Sequence, residues 1–206
     1  IINSLFRPKR FSFYLKEGFF CTGASWVVLS VIGAIPLWLT HEIPHYIDAL
    51  FESVSGFTTT GASIIENVET LSKASLFWRS FTHLVGGMGV LVFLLTVIPL
   101  AGGDGSQFNL MKAESPGPSV GKLVPKLKNT AQMLYIIYLG LCALEFVFLL
   151  IAGMTPFEAL NTAIATAGTG GFGIYADSIA GFNIPCQWIV AIFMFVFGVN
   201  FNFYYY

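Results

Sequence analysis

The sequence predicts an all-α membrane protein made of repeated helix–re-entrant loop–helix units, and three observations predict it. The 206 residues are 55% hydrophobic and only 10% charged, against about 25% charged in a typical soluble domain, and the mean hydropathy is +0.74. The apolar residues gather in four blocks, each near the roughly 20 residues that a spanning helix needs. Between the blocks lie two half-length segments, each followed by Gly- and Thr-rich sequence.

The four predicted spans cover about 19–39, 76–100, 131–154 and 184–206. Pro36 sits near the outer end of the first as an expected kink. Arg79, near the start of the second, is expected to snorkel to the interface. The half-length segments, 47–57 and 156–167, are 11 and 12 residues long. As helices they would reach roughly 17 Å, too short to span, so they suit re-entrant helices. The organisation expected is a first unit over 1–100, a linker over 101–128 and a second unit over 129–206.

Charge sets the orientation. Arg7, Lys9, Arg10 and Lys16 precede the first span, and Lys112, Lys122, Lys126 and Lys128 lie between the second and third. Eight of the ten Lys and Arg therefore share one side, which places the N-terminus and the linker in the cytoplasm of a multi-pass cell-membrane protein. The linker is rich in Gly, Pro and Ser and reads as a surface loop. Glu42, Asp48, Glu52, Glu66, Glu69, Glu158 and Asp177 fall on the other side, where acidic groups raise the local cation concentration. A net charge of −1 gives no basic field for nucleic acid.

The two halves repeat each other. Asp48-Ala49-Leu50 matches Glu158-Ala159-Leu160 at an offset of 110, and the same offset carries Val54 onto Ile164, Thr59 onto Thr169 and Gly61 onto Gly171. Repeats of this kind often place a binding site at their interface. The loops read FESVSGFTTTGAS (51–63) and ATAGTGGFG (165–173). Non-helical backbone is tolerated at membrane depth only where it lines water or is buried in protein. A dehydrated potassium ion needs oxygens that replace its water shell, and rings of backbone carbonyls supply them. Gly permits the dihedrals that turn carbonyls to one axis, and Thr adds a hydroxyl and a stiff side chain. Half-helices entering from outside would point the negative ends of their dipoles at the ion path. Thr155, Pro156 and Glu158 form a capping box at the start of the second. Asp48 and Glu158 are read as helix caps rather than ion contacts.

These residues resemble a known family. FESVSGFTTTGAS followed by WRSFTHLVGGMGVLVFLLTVIP (78–99) is similar to the first pore loop and following helix of TrkH-type proteins, in the Trk/Ktr/HKT potassium transporter superfamily. MKAESPG (111–117), NTAQMLYIIYLGL (129–141), GMTPFEALNTAIATAGTGGFGIYADS (153–178) and FGVNF (197–201) resemble its second repeat, in order. The resemblance implies a potassium-channel-like fold of four covalently linked repeats around one pseudo-fourfold pore. It implies potassium as the transported substrate, with no other cofactor in this chain. It also implies a homodimer in the lipid bilayer served by a cytosolic, nucleotide-binding, TrkA-like regulatory subunit. The filter positions it carries over are Thr59, Thr60, Gly61 and Ala62, then Thr169, Gly170, Gly171 and Phe172. Only two of the four repeats are present, so the chain reads as half of a transporter whose remaining repeats complete the filter. The alternative is a non-conducting membrane scaffold or regulatory half-subunit.

Other signals carry less. Gly168–Gly173 spells the letters of a dinucleotide fingerprint without the strand and helix that motif needs. Gly86, Gly87 and Gly89 suggest close helix packing. Glu145, midway along the third span, is either a functional group or one with a polar partner in the bundle. His83 reads as a packing or interface residue, and His41 and His45 lack a third ligand at metal spacing. Cys21, Cys142 and Cys186 read as buried thiols, and the aromatic run 201–206 as interface belt. No nucleophile–base pair or paired catalytic carboxylates appear, so no enzyme is expected.

Overall fold

The computed structural model describes residues 15–89 and 127–199. These residues form six α-helices and one 3-10 turn, with no strand among them. Helix α1 (Leu15–Leu39) leads to the short α2 (Tyr46–Phe57), the 3-10 turn Val68–Thr70 and α3 (Lys73–Gly87). Then come α4 (Leu127–Ile151), the short α5 (Pro156–Ala167) and α6 (Ile184–Gly198). The order long, short, long thus occurs twice with matching lengths of 25, 12 and 15 residues. From 46 to 156 and from 57 to 167 the shift is 110, as the motif alignment requires, and it becomes 111 between α3 and α6.

Local chemistry explains the ends. Ser72 caps α3 by accepting from the Ser75 N–H, and Asn183 caps α6 by accepting from the Cys186 N–H. At α5, Thr155 accepts from Glu158 N–H while Glu158 accepts from Thr155 N–H, with Pro156 in the first turn. The N-cap of helix α2 is His45, which makes no side-chain cap bond. Helix α3 ends sooner than the predicted second span: Met88 caps it, and Gly89 turns left-handed at φ +78°. The rest of that span, the linker up to 126 and the run 200–206 lie outside the described residues.

Within the described residues two helical stretches are long and apolar enough to cross a bilayer, Thr22–Leu39 and Gln132–Ile151, and Ile184–Gly198 is apolar but shorter. Their outward faces carry Val27, Val28, Ile32, Ile136, Val147, Ile151, Trp188 and Phe195, all exposed, as a hydrocarbon solvent demands. Each short helix packs against the first long helix of its own half, α2 on α1 and α5 on α4. The halves join where α3 of the first packs on α5 of the second. The largest buried cluster lies in the second half, around Tyr138, Leu149, Ala163, Cys186 and Phe193. Cys142 and Cys186 are free and buried. The segment 168–173 follows a helix and runs into turns, so the strand of a dinucleotide fold is absent there.

Candidate cation filter

Both short helices end by tightening. Thr59 N–H donates to Gly56 O and Thr60 N–H to Ser55 O, and Gly168 and Thr169 N–H donate to Ala165 and Thr166 O. The chain then reverses hand twice in each loop. Thr59 has φ +55° and Gly61 +74°, and Thr169 has φ +55° and Gly171 +83°. In an extended strand successive carbonyls alternate sides. Left-handed residues at every second position tip successive peptide planes toward a common side, an arrangement that can present several oxygens to one cation. Thr60 and Ala62 are exposed, as are Thr169 and Gly171, whereas Thr59, Gly61 and Gly170 are partly covered. Phe172 is the exception among the expected filter positions, because its side chain is buried behind the loop.

The two loops touch. A Cβ on Gly61 would collide with the carbonyl oxygen of Gly170, and one on Gly170 would come within 2.7 Å of Thr59 O and collide with His83 Nε2. Helix α3 passes close behind both. A Cβ on Gly86 would strike Phe57 O, and one on Gly87 would lie 2.8 Å from Ala167 O. The two glycines are therefore packing residues, as the sequence suggested. A Cβ on Gly171, by contrast, meets nothing within 4 Å.

Arg79 does not snorkel. It is 2% exposed and paired with Glu52, which is 1% exposed. Its Nε donates to Glu52 Oε1 at 2.7 Å, and its Nη2 lies 2.6 Å from the same oxygen. Glu52 also accepts from Ser63 Oγ at 2.9 Å and from Ile64 N–H at 3.2 Å. Snorkelling requires a lipid-facing stem, but Arg79 faces the junction of the two halves, where a carboxylate awaits it. Nor does Glu52 join an acidic outer face, as its place between the spans suggested: it is buried, and its charge is met by Arg79.

His83, one turn further along α3, is fully buried, neither ring nitrogen has a hydrogen-bond partner among the described residues, and its ring lies 4.2 Å from that of Phe172. It packs as expected, but against the second loop rather than at an interface. Glu145 is fully buried, and neither oxygen has a hydrogen-bond partner among the described residues. The nearby Thr166 hydroxyl donates to Thr162 O instead. At the N-terminal end of α5, Tyr175 Oη donates to Glu158 Oε1 at 2.8 Å. Burial opposes ionisation of Glu158, but hydrogen bonds from Thr155 and Tyr175 outweigh it and hold the carboxyl below its ordinary value.

Comparison with known proteins fits this geometry. The family model of TrkH, described as a cation transport protein, matches residues 3–206. The chain is 42% identical over 170 residues to the Trk system potassium uptake protein TrkG of Escherichia coli, covering 82% of the chain and 35% of TrkG. It is 39% identical over 194 residues to TrkH of the same organism, covering 91% of the chain and 39% of TrkH. The crystal structure of the potassium transporter TrkH from Vibrio parahaemolyticus superposes with a TM-score of 0.76 at 31% identity, over 97% of this chain and 39% of that one. The chain thus spans little more than a third of these relatives. Transporters, not enzymes, make up the group, and the all-helical repeat architecture is shared with it. The chain belongs to the TrkH family of cation transport proteins.

Proposed function

We propose that this chain supplies two adjoining quarters of a potassium-selective filter in the cell membrane. The observation that carries the reading is the doubled backbone reversal, Thr59/Gly61 and Thr169/Gly171, at the C-terminal ends of two short helices whose loops abut. Carbonyls of Thr59, Thr60, Gly61 and Ala62, and of Thr169, Gly170, Gly171 and Phe172, are the ion ligands, helped by the helix dipoles behind them. Potassium is the substrate because the relatives are potassium uptake proteins. The remaining repeats complete the ring, and the open side of Gly171 is where the next loop fits. The family resemblance supports a homodimer with a cytosolic nucleotide-binding regulatory subunit. The basic bias of 1–16 and 112–128 supports a cytoplasmic N-terminus and linker.

The test is rubidium uptake into liposomes by the full-length protein, with excess potassium or sodium as competitor, beside a Gly171→Ser version. Potassium should compete better than sodium, and Gly171→Ser should lose that difference. Folded protein with no cation-specific uptake would overturn the reading in favour of a non-conducting scaffold.

A further inference from the structure

The ion pair of Glu52 and Arg79 reaches both filter loops, at matching places. Arg79 Nη2 donates to Ser63 Oγ and Nη1 to Gly173 O, each at 3.3 Å. Ser63 and Gly173 are equivalent under the shift of 110, and each lies two residues beyond its filter glycine. The guanidinium also sits over the Phe172 ring, its Cζ 4.3 Å from the ring centroid. One side chain on α3 thus grips the downstream arm of the first loop through Glu52 and Ser63, and that of the second through Gly173 and Phe172. Arg suits this role because its planar fork has five donors and a face that stacks on aromatics. The site is buried, so its hydrogen bonds and charge attraction are strengthened by the low local dielectric.

The device occurs once among the described residues. Under the shifts of 110 and 111, Thr162 stands where Glu52 does and Val190 where Arg79 does. Those two residues, with Met194 and Ser178, line a cavity of about 60 Å³ behind Gly171–Gly173. Behind the first loop a charged network fills the corresponding position. Behind the second lie this cavity and a single neutral tie, Ser178 Oγ donating to Gly171 O at 3.1 Å, so among the described residues the charged contact to that loop comes from Arg79 of the neighbouring unit.

We infer that Glu52 and Arg79 are positioning residues for cation discrimination: by tying the two loops at equivalent points, they fix the spacing of the carbonyls on either side of the Gly61–Gly170 contact. This rests on the filter reading above. Neither side chain touches the ion, so the effect must appear as lost selectivity rather than as lost assembly.

The experiment measures rubidium uptake by the full-length protein in liposomes, with the ratio of potassium to sodium inhibition as readout and size exclusion as the check of assembly. The variants are Arg79→Lys, the double variant Glu52→Leu/Arg79→Met, and Lys73→Gln as an outer-face control. Arg79→Lys keeps the charge against Glu52 but cannot also fork to Ser63 and Gly173. The double variant removes the charges together, which buried pairs often tolerate without loss of stability. Small displacements of reacting groups carry large effects, so the discrimination ratio should fall about tenfold in both assembled variants and stay unchanged in Lys73→Gln. Wild-type discrimination in either assembled Arg79 variant overturns the inference. So does failure of both to assemble, since the pair would then serve folding alone. If the unmodified protein itself fails to discriminate, the filter reading falls, and that result is separable from the others.

Discussion

The carbonyl oxygen of Gly170 lies where a side chain on Gly61 would begin. Loops from the two halves therefore meet backbone to backbone, and an alanine at 61 has to displace the neighbouring loop as well as adopt φ +74°. At Gly171 only the conformational cost remains, about 1–2 kcal/mol for an L-residue in the left-handed region. In the full-length protein, comparing Gly61→Ala with Gly171→Ala reports what adjoins the second loop. Equal losses of rubidium uptake are expected, because a further loop should present a carbonyl to Gly171 as Gly170 does to Gly61. A Gly171→Ala loss smaller by about tenfold, worth 1.4 kcal/mol, would mean that no such carbonyl is there.

Thr59 and Thr169 hold φ +55°, where a β-branched residue is a true outlier. Such residues cost on the order of 1–3 kcal/mol each and persist at sites that need them. Thr59→Gly or Thr169→Gly should therefore raise the thermal midpoint of the purified protein while reducing potassium-over-sodium discrimination. A lowered midpoint in both variants would show that the threonines stabilise the loops instead.

The sequence discloses the short helices and the repeat because their signals are local. Thr155, Pro156 and Glu158 mark the start of α5 to the residue, and the predicted end at 167 also holds. Helix α2 begins one residue earlier than predicted, at Tyr46, after an N-cap His45 whose side chain makes no cap bond. Helix α3 begins at Lys73, before the predicted 76, because Ser72 caps it ahead of the apolar run. What escaped sequence reading is long-range or conformational. Arg79 finds Glu52 across 27 residues and Gly173 across 94, and no periodicity encodes such a meeting. At Thr59 and Thr169 the residue type predicts only a stiff side chain with a hydroxyl, and nothing in a β-branched residue announces the left-handed backbone found there.

Tyr138 on α4 donates its hydroxyl to Leu84 O at 3.0 Å. Leu84 is within the last four residues of α3, whose carbonyls have no partner inside the helix. The bond therefore satisfies an orphan acceptor and stitches the two halves together 54 residues apart. Tyr138→Phe should destabilise the protein by about 1–3 kcal/mol, since a buried acceptor is left unmet. Thermal unfolding in detergent reads this directly, and an unchanged midpoint would show that the carbonyl finds another donor.

Glu158 and Tyr175 give the N-terminal end of α5 a pH dependence with two limbs. Glu158 is held below its ordinary 4.5, so its contribution is complete above 4.5 and is lost as pH falls through the lower folded value. Tyr175 is held above its ordinary 10.0, first by its hydrogen bond to Glu158, so its contribution is complete below 10.0 and is lost as pH rises through the higher folded value. Tyr175→Phe should remove the alkaline limb and weaken the acid one, with a neutral-pH loss of about 1 kcal/mol. Thr155→Ala, which breaks the capping box, should cost about 1 kcal/mol at neutral pH and leave the alkaline limb in place. Thermal midpoints across the pH range for the three proteins decide it. If Tyr175→Phe and the unmodified protein run parallel at alkaline pH, the hydrogen bond from Tyr175 to Glu158 does not govern this end of the helix.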